Sequence, residues 1–311
     1  MNFLANYFGS LNPMSFLSAL PGNIAQGIIW GLMGLGVFLT FKLLNFADLS
    51  VDGSFAINGC PVWATIIVAI LAGLAAGLVT GLLHTLLGIP DILAGILTQI
   101  ALYSINLNIM GKSNLPISYR NYTLVVSASN INMAILVGLG ICAVVIAAMY
   151  WYFGTEQGST IRSTGSNPAM SKAQGININF TKVIALALSN GLVALSGSLF
   201  AQYQGFADIN MGRGAIVIGL AAVIIGEVLG EAIFRKHMNF IIRMLFVIVG
   251  GILYYIAMGI VLWLKMPTDD TKLFTAIIVA IFLAVPYLQK KRKTSFKKVA
   301  KMNAKNAQKE G

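Results

Sequence analysis

Charge is what this sequence has least of. Only 10% of its 311 residues are Asp, Glu, Lys or Arg, against about 25% in an average soluble domain. Acids are scarcest, ten in all. From Met1 to Phe41 there is no charged residue of either sign. A chain so short of polar surface, with 57% hydrophobic residues and a mean hydropathy of +0.81, is excluded from ordinary aqueous folds. Two cysteines, Cys60 and Cys142, lie far apart in or beside apolar segments. They suggest neither a disulfide framework nor a metal site, and read as small buried hydrophobes. Two histidines, His84 and His237, have no metal-ligand company. The N-terminus lacks the basic n-region of a signal peptide.

What is present is a succession of apolar runs. The fold class expected is an all-α integral membrane protein, a polytopic helical bundle of about eight or nine spans. The 32 glycines fit close packing of membrane helices. Helices are expected near Ile24–Leu44, Val62–Leu87, Ile92–Met110, Met133–Phe153, Val183–Gln202, Ala215–Phe234, Phe240–Leu264 and Leu273–Leu288. Between the first two, residues 45–59 are too short for an ordinary helical span and are expected to form a broken or re-entrant segment. One membrane domain is read over residues 1–289, with a polar loop at about 154–181 and a basic tail at 290–311.

The tail carries nine Lys and Arg and one acid, Glu310. Nucleic-acid binding is one reading of such a run. Directly after an apolar span, a cytoplasmic anchor on anionic membrane lipid is favoured, and no nucleic-acid partner is expected. With the tail inside, Lys42, Arg162, Lys172, Lys182, Arg235, Lys236 and Arg243 also fall inside. Lys112, Arg120, Arg213, Lys265 and Lys272 fall outside. The excess of positive charge inside favours this orientation, with the N-terminus outside.

Several stretches have the residue types that chemistry needs. Asn45, Asp48 and Asp52 lie in the broken segment. Carboxylates at membrane depth are costly unless paired or watered, which points to a polar translocation pathway. Capping of helix ends by the same aspartates is the competing reading. In the polar loop, Asn167 is an N-cap, Pro168 a first helical residue and Gly175 a C-terminal stop. They define a short helix through Ala169, Met170, Ser171, Lys172, Ala173 and Gln174, with small Ala169 and Ala173 on one face. Such a helix suits a groove in a partner; a plain surface helix is the alternative.

Gln99 and Asn106 on one helix and Asn190 on another are pathway candidates, or partners in interhelical hydrogen bonds. Glu227 lies deeper than Glu231, which is spaced to pair with Arg235. For Glu227 a structural role and a gating or coupling role both stand. Gly73, Gly77 and Gly81 form a ladder for close helix packing. Gly111-Lys112-Ser113 lacks the earlier glycine of a phosphate loop, so no nucleotide site is expected here. No nucleophile–base set suggests an enzyme.

The run from Gly165 to Asn177 resembles the coupling loop of ATP-binding-cassette importer permeases, in the branch of branched-chain amino acid and ribose permeases. Gly31-Leu32-Met33-Gly34-Leu35-Gly36 followed by Leu44-Asn45-Phe46-Ala47-Asp48 resembles that family's first helix and its Asn-Phe-Ala turn. Ala221-Ala222-Val223-Ile224-Ile225-Gly226-Glu227 resembles its late glycine-bearing helix. The likeness runs from about Gly27 to Leu288. Two departures stand out. Asp48-Leu49-Ser50-Val51-Asp52-Gly53 replaces the family's frequent His-Gly pair, and Gly226-Glu227 replaces a glycine pair. The variant is most similar to the subgroup labelled tryptophan/tyrosine permeases.

The resemblance implies a non-enzymatic transport subunit in a bacterial plasma membrane. It implies a permease homodimer, separate ATPase subunits holding ATP and magnesium, and an external binding protein that delivers a small solute. That solute is expected to be an amino acid, with no cofactor on this chain. An ion-coupled carrier or channel using Asp48 and Asp52 is the alternative function.

Overall fold

A computed structural model describes residues 13–44, 62–117, 124–234, 238–264, 273–281 and 284. Helix α1 spans Pro13–Val37, and its last turns, Phe38–Leu43, widen into a π-helix. Helices α2 (Val62–Leu86), α3 (Asp91–Met110) and α4 (Ile131–Phe153) follow. Two short helices, α5 (Glu156–Ser166) and α6 (Pro168–Ala173), lead into α7 (Ile178–Gln204). Helices α8 (Ala215–Phe234) and α9 (Phe240–Trp263) come next, and α10 covers residues 273–281. Strand β1 (Asn114–Pro116) pairs antiparallel with β2 (Phe206–Asp208).

Seven of these helices are long and apolar enough to cross a membrane. The chain is an all-α multi-pass membrane protein. The expected span near Leu273–Leu288 is described only in part. The broken segment at 45–59 lies outside the described residues, as do Asn45, Asp48 and Asp52.

Burial sorts the spans into two kinds. In α1 and α7, 83% and 72% of the most apolar stretch is buried; in the other five the share is 28% to 39%. Helix α1 is the axis of the bundle, packed by α9, α7, α8 and α4. Its Ile28, Leu32, Leu35 and Phe38 enter a core shared with Cys142, Leu186, Val223 and Val247.

Glycine makes these approaches close. A Cβ on Gly77 would collide with the Leu186 carbonyl and stand 2.7 Å from the Ala187 Cα; one on Gly73 would collide with the Asn190 carbonyl. The ladder expected from spacing is therefore the seam between α2 and α7. A second seam joins α1 to α9, where a Cβ on Gly31 would meet the Ile248 Cα at 2.9 Å. Polar side chains complete the seams: Ser189 donates to the Gly36 carbonyl at 2.8 Å and Ser196 to the Ile29 carbonyl at 2.6 Å. Between α2 and α3, the Thr80 hydroxyl donates to the Thr98 hydroxyl at 2.9 Å. Each such bond satisfies a group that hydrocarbon cannot.

These contacts also give direction. Ile29 and Gly36 of α1 meet Ser196 and Ser189 of α7, so the two helices are antiparallel. Gly73 and Gly77 of α2 meet Asn190 and Leu186, so α2 is antiparallel to α7 as well. Helices α1 and α2, consecutive in the described chain, are thus parallel. One end of the bundle carries α5 and α6, and is called here the loop-helix end. The other carries β1 and β2, and is called the strand end.

Two local expectations are corrected. Helix α1 starts at Pro13, eleven residues before Ile24, and continues through Pro21. The polar loop at 154–181 holds two helices, α5 as well as α6. Gly111 closes α3 in the left-handed region, φ 65°, where glycine has no Cβ penalty.

Candidate coupling surface and its link to the central helix

Helix α5 follows α4 after Gly154. Thr155 caps it, its side chain accepting from the Gly158 amide at 3.4 Å, and Glu156 in the first turn suits the helix dipole. Its buried face is Gly158, Ile161 and Thr164. Gly158 lies on the backbone of Phe153, and Gly165 lies on the Leu43 carbonyl, in contact close enough that a Cβ would not fit. Helix α5 is therefore wedged between the end of α4 and the π-helical end of α1. The Thr164 and Tyr152 hydroxyls are buried there without a hydrogen-bond partner.

Helix α6 forms as its sequence dictates. The Asn167 side chain accepts from the Met170 amide at 3.1 Å, and Pro168 occupies the first turn. The Ser171 hydroxyl donates to the Asn167 carbonyl at 3.1 Å. Gly175, at φ 81°, reverses the chain, and Asn177 then caps α7 by accepting from the Phe180 amide at 3.1 Å. Within the short helix only Ser171 is buried. Asn167, Pro168, Ala169, Met170, Lys172, Ala173, Gln174 and Gly175 are all exposed. Met170, 59% exposed, is a large apolar side chain at the tip.

Next to Leu43 in the chain, Lys42 reaches Glu227 of α8. Its Nζ lies 2.8 Å from one carboxylate oxygen, and Arg243 of α9 lies 3.4 Å from the other. The Glu227 side chain is 17% exposed, against 42% and 36% for its partners. The acid is thus the shielded member, and two cations stabilise its charge. This cluster joins α1, α8 and α9 at the same end as α5 and α6. Sequence spacing named Glu227 but neither partner. Lys42 stands 185 residues away, and its one available signal was its isolation as the first charge in the chain. Arg235, the partner expected for Glu231, lies outside the described residues; Glu231 itself is exposed.

The remaining candidates are scattered. Asn190 is buried in the α2–α7 seam and donates to the Leu186 carbonyl of its own helix at 3.2 Å. Asn106 is buried with its Oδ1 unpartnered, and Gln99 is half-buried on the same helix. His84 is a satisfied histidine, with Nδ1 2.8 Å from the Ile89 carbonyl and Nε2 2.9 Å from the Lys182 Nζ. Among the described residues no group of three His, Cys, Asp or Glu side chains is arranged for a metal.

The chain is thus a many-helix membrane bundle whose exposed loop helix, α6, follows a helix, α5, seated on the end of the central span. The chain belongs to the family described as branched-chain amino acid transport system / permease component, whose model matches residues 22–286. It is an ABC-type permease component. It is 41% identical over 301 residues to a tyrosine transport system permease protein of Clostridioides difficile strain R20291, covering 93% of this chain and 99% of that one. An uncharacterised protein of Rickettsia prowazekii is 30% identical, over 84% of this chain and 95% of its own length. A D-allose transport system permease protein of Escherichia coli K12 is 26% identical, over 79% and 77%. No solved structure matches.

Proposed function

We propose that this chain is the membrane subunit of an ABC importer for an amino acid, aromatic in side chain, delivered by an external binding protein. Two copies form the pathway, and two separate ATPase subunits, holding ATP and magnesium, dock on α6. The protein resides in a bacterial plasma membrane with α5, α6 and the C-terminal tail in the cytoplasm and the N-terminus outside. The observation that carries this reading is the pairing of two features at one end. Helix α6 is exposed on nearly every residue. The helix before it sits by Gly165 on the backbone of Leu43, the end of the most buried span.

A push on α6 is passed through α5 to α1 as a rigid contact, because no flexible side chain lies between Gly165 and Leu43. Nucleotide-driven closure of the ATPase pair moves the two α6 helices. Helix α1 follows, and Lys42 and Arg243 carry the displacement through Glu227 to α8 and α9. Alternating access results. Support for an aromatic amino acid comes from the likeness to the tyrosine permease over nearly the whole chain.

The test is co-purification of the chain from its host in mild detergent, followed by ATPase measurement with the binding protein and L-tyrosine. An ATPase subunit that accompanies the chain, and hydrolyses faster with liganded binding protein, is the expected result. Ala169→Trp on the exposed face should abolish that stimulation while leaving the permease folded. A chain that purifies alone and moves solute down an ion gradient without ATP would overturn the reading.

A further inference from the structure

At the strand end, α1, α8, α9 and α10 leave a cavity of about 550 Å³ between them. This is within the range of small-molecule sites, which are mostly apolar with a few placed polar groups. The polar groups here come from different helices: Asn23 and Gln26 of α1, Arg213 just before α8, and Tyr254 and Tyr255 of α9. Among the described residues that line the cavity there is no acid, and Arg213 is the one cation. The guanidinium stands 5.7 Å over the Tyr103 ring, which orients it without neutralising it.

One of these groups lacks a partner. The Asn23 Nδ2 is shut off from solvent with no hydrogen bond. The hydroxyl of Tyr254, a residue 1% exposed, has the Thr275 side chain beside it. A buried unpaired donor costs stability and is seldom kept without a use. The chain also makes room for it: a Cβ on Gly259 would collide with the Asn23 carboxamide. The floor is aromatic. Tyr255 lies 5.6 Å from the Tyr254 ring and 5.9 Å from Trp30, which in turn meets Phe200 edge-on at 5.1 Å.

We infer that this cavity binds a solute bearing a carboxylate and an aromatic body, the carboxylate held by Arg213 and Asn23 and the ring lying against Tyr255 and Met258. The inference deepens the import reading and rests on it for the direction of entry. It assigns the solute site to residues other than Gln99, Asn106 and Asn190, none of which lines the cavity. A cation with one amide donor suits a carboxylate, and the apolar wall with its aromatic floor suits a ring. The Tyr254 hydroxyl and the Gln26 side-chain oxygen, which line the same cavity, can accept from the amino group.

The test places a thiol in the cavity of the full chain, Met258→Cys in a Cys60→Ser background, and follows its labelling by a water-soluble maleimide. The purified variant is first checked by gel filtration. Uptake of labelled L-tyrosine by cells carrying the complete transport system is measured in parallel. Labelling that L-tyrosine slows, and that tyramine, lacking the carboxylate, does not, is the expected result. Arg213→Gln should raise the L-tyrosine concentration needed for protection about tenfold, the value of a charged hydrogen bond.

A thiol that does not react, or that L-tyrosine and tyramine protect equally, overturns the assignment. Unprotected labelling alongside chain-dependent tyrosine uptake overturns the cavity and leaves the transport reading standing. Protection without any tyrosine uptake supports the cavity and removes the import reading. Protection that follows lipid or detergent concentration alone makes the cavity a lipid groove and sinks the inference.

Discussion

The two ends of the bundle treat charge in opposite ways. At the loop-helix end Glu227 has two cations on it, at 2.8 and 3.4 Å, and the acid is the least exposed of the three. At the strand end Arg213 faces a cavity that no acid among the described residues lines, beside an Asn23 amide without a hydrogen bond. A compensated charge fixes helices to one another. A cation with no acid beside it among the described residues, next to an unpaired donor, is a place left for something else. Between the two ends, the glycines of the α2–α7 and α1–α9 seams bring the helices into close backbone approach.

Breaking the seam should have the largest effect. Gly77→Leu drives a side chain into the Leu186 carbonyl and the Ala187 Cα. Overpacking of this kind costs about 1–3 kcal/mol or more, so the variant should run as aggregate on fluorescence-detected gel filtration. Gly140→Ala is its control: nothing lies within 4 Å of the Cβ position, and the elution profile should not change.

Next comes the compensated end. Glu227→Gln leaves Lys42 and Arg243 without their shared acid. Because both cations are more than a third exposed, solvent screens the loss to about 1 kcal/mol. The unfolding temperature should fall modestly, and tyrosine-stimulated ATPase should fall by more than stability does. A Lys42→Met, Glu227→Gln double variant that is no worse than the single ones would tie the effect to the pair. Asn167→Ala removes the cap of α6, worth about 1 kcal/mol in a helix end. It should weaken ATPase association in pull-down without lowering the unfolding temperature of the permease.

The smallest effect sharpens the comparison most. Tyr254→Phe deletes a buried hydroxyl that has only the Thr275 side chain beside it. Its removal should leave the unfolding temperature unchanged or raise it slightly, while weakening protection of the cavity by L-tyrosine. A clear loss of stability instead would mean that the hydroxyl is structural, and the contrast between the ends would disappear.

Much of the fold was legible because spans and caps are local. A run of about 20 apolar residues reads the same wherever it packs, and Ala215–Phe234 matches the expected bounds residue for residue. Asn167, Pro168 and Gly175 act within one turn of themselves, so α6 was readable too. Helix α5 was not: its residues, Glu-Gln-Gly-Ser-Thr-Ile-Arg-Ser-Thr-Gly-Ser, have poor helix propensity. It forms because Thr155 caps it and because Gly158, Ile161 and Gly165 press on α4 and α1. The strands were equally hidden, since Asn114 acquires its partner only from Asp208 across the chain.

The sequence by itself determined the class of protein, the positions of most spans, the capped loop helix and the glycine ladder, because each depends on residues within a few turns of one another. Only the tertiary structure decided that α1 and α2 run parallel, that Lys42 and Arg243 share Glu227, and that Asn23, Arg213 and Tyr254 surround one cavity. Those pairings join residues from different helices, and in a bilayer many partners are equally apolar. Which faces meet is settled by backbone approach and by the few polar groups that must be satisfied, and neither is written in the order of the residues.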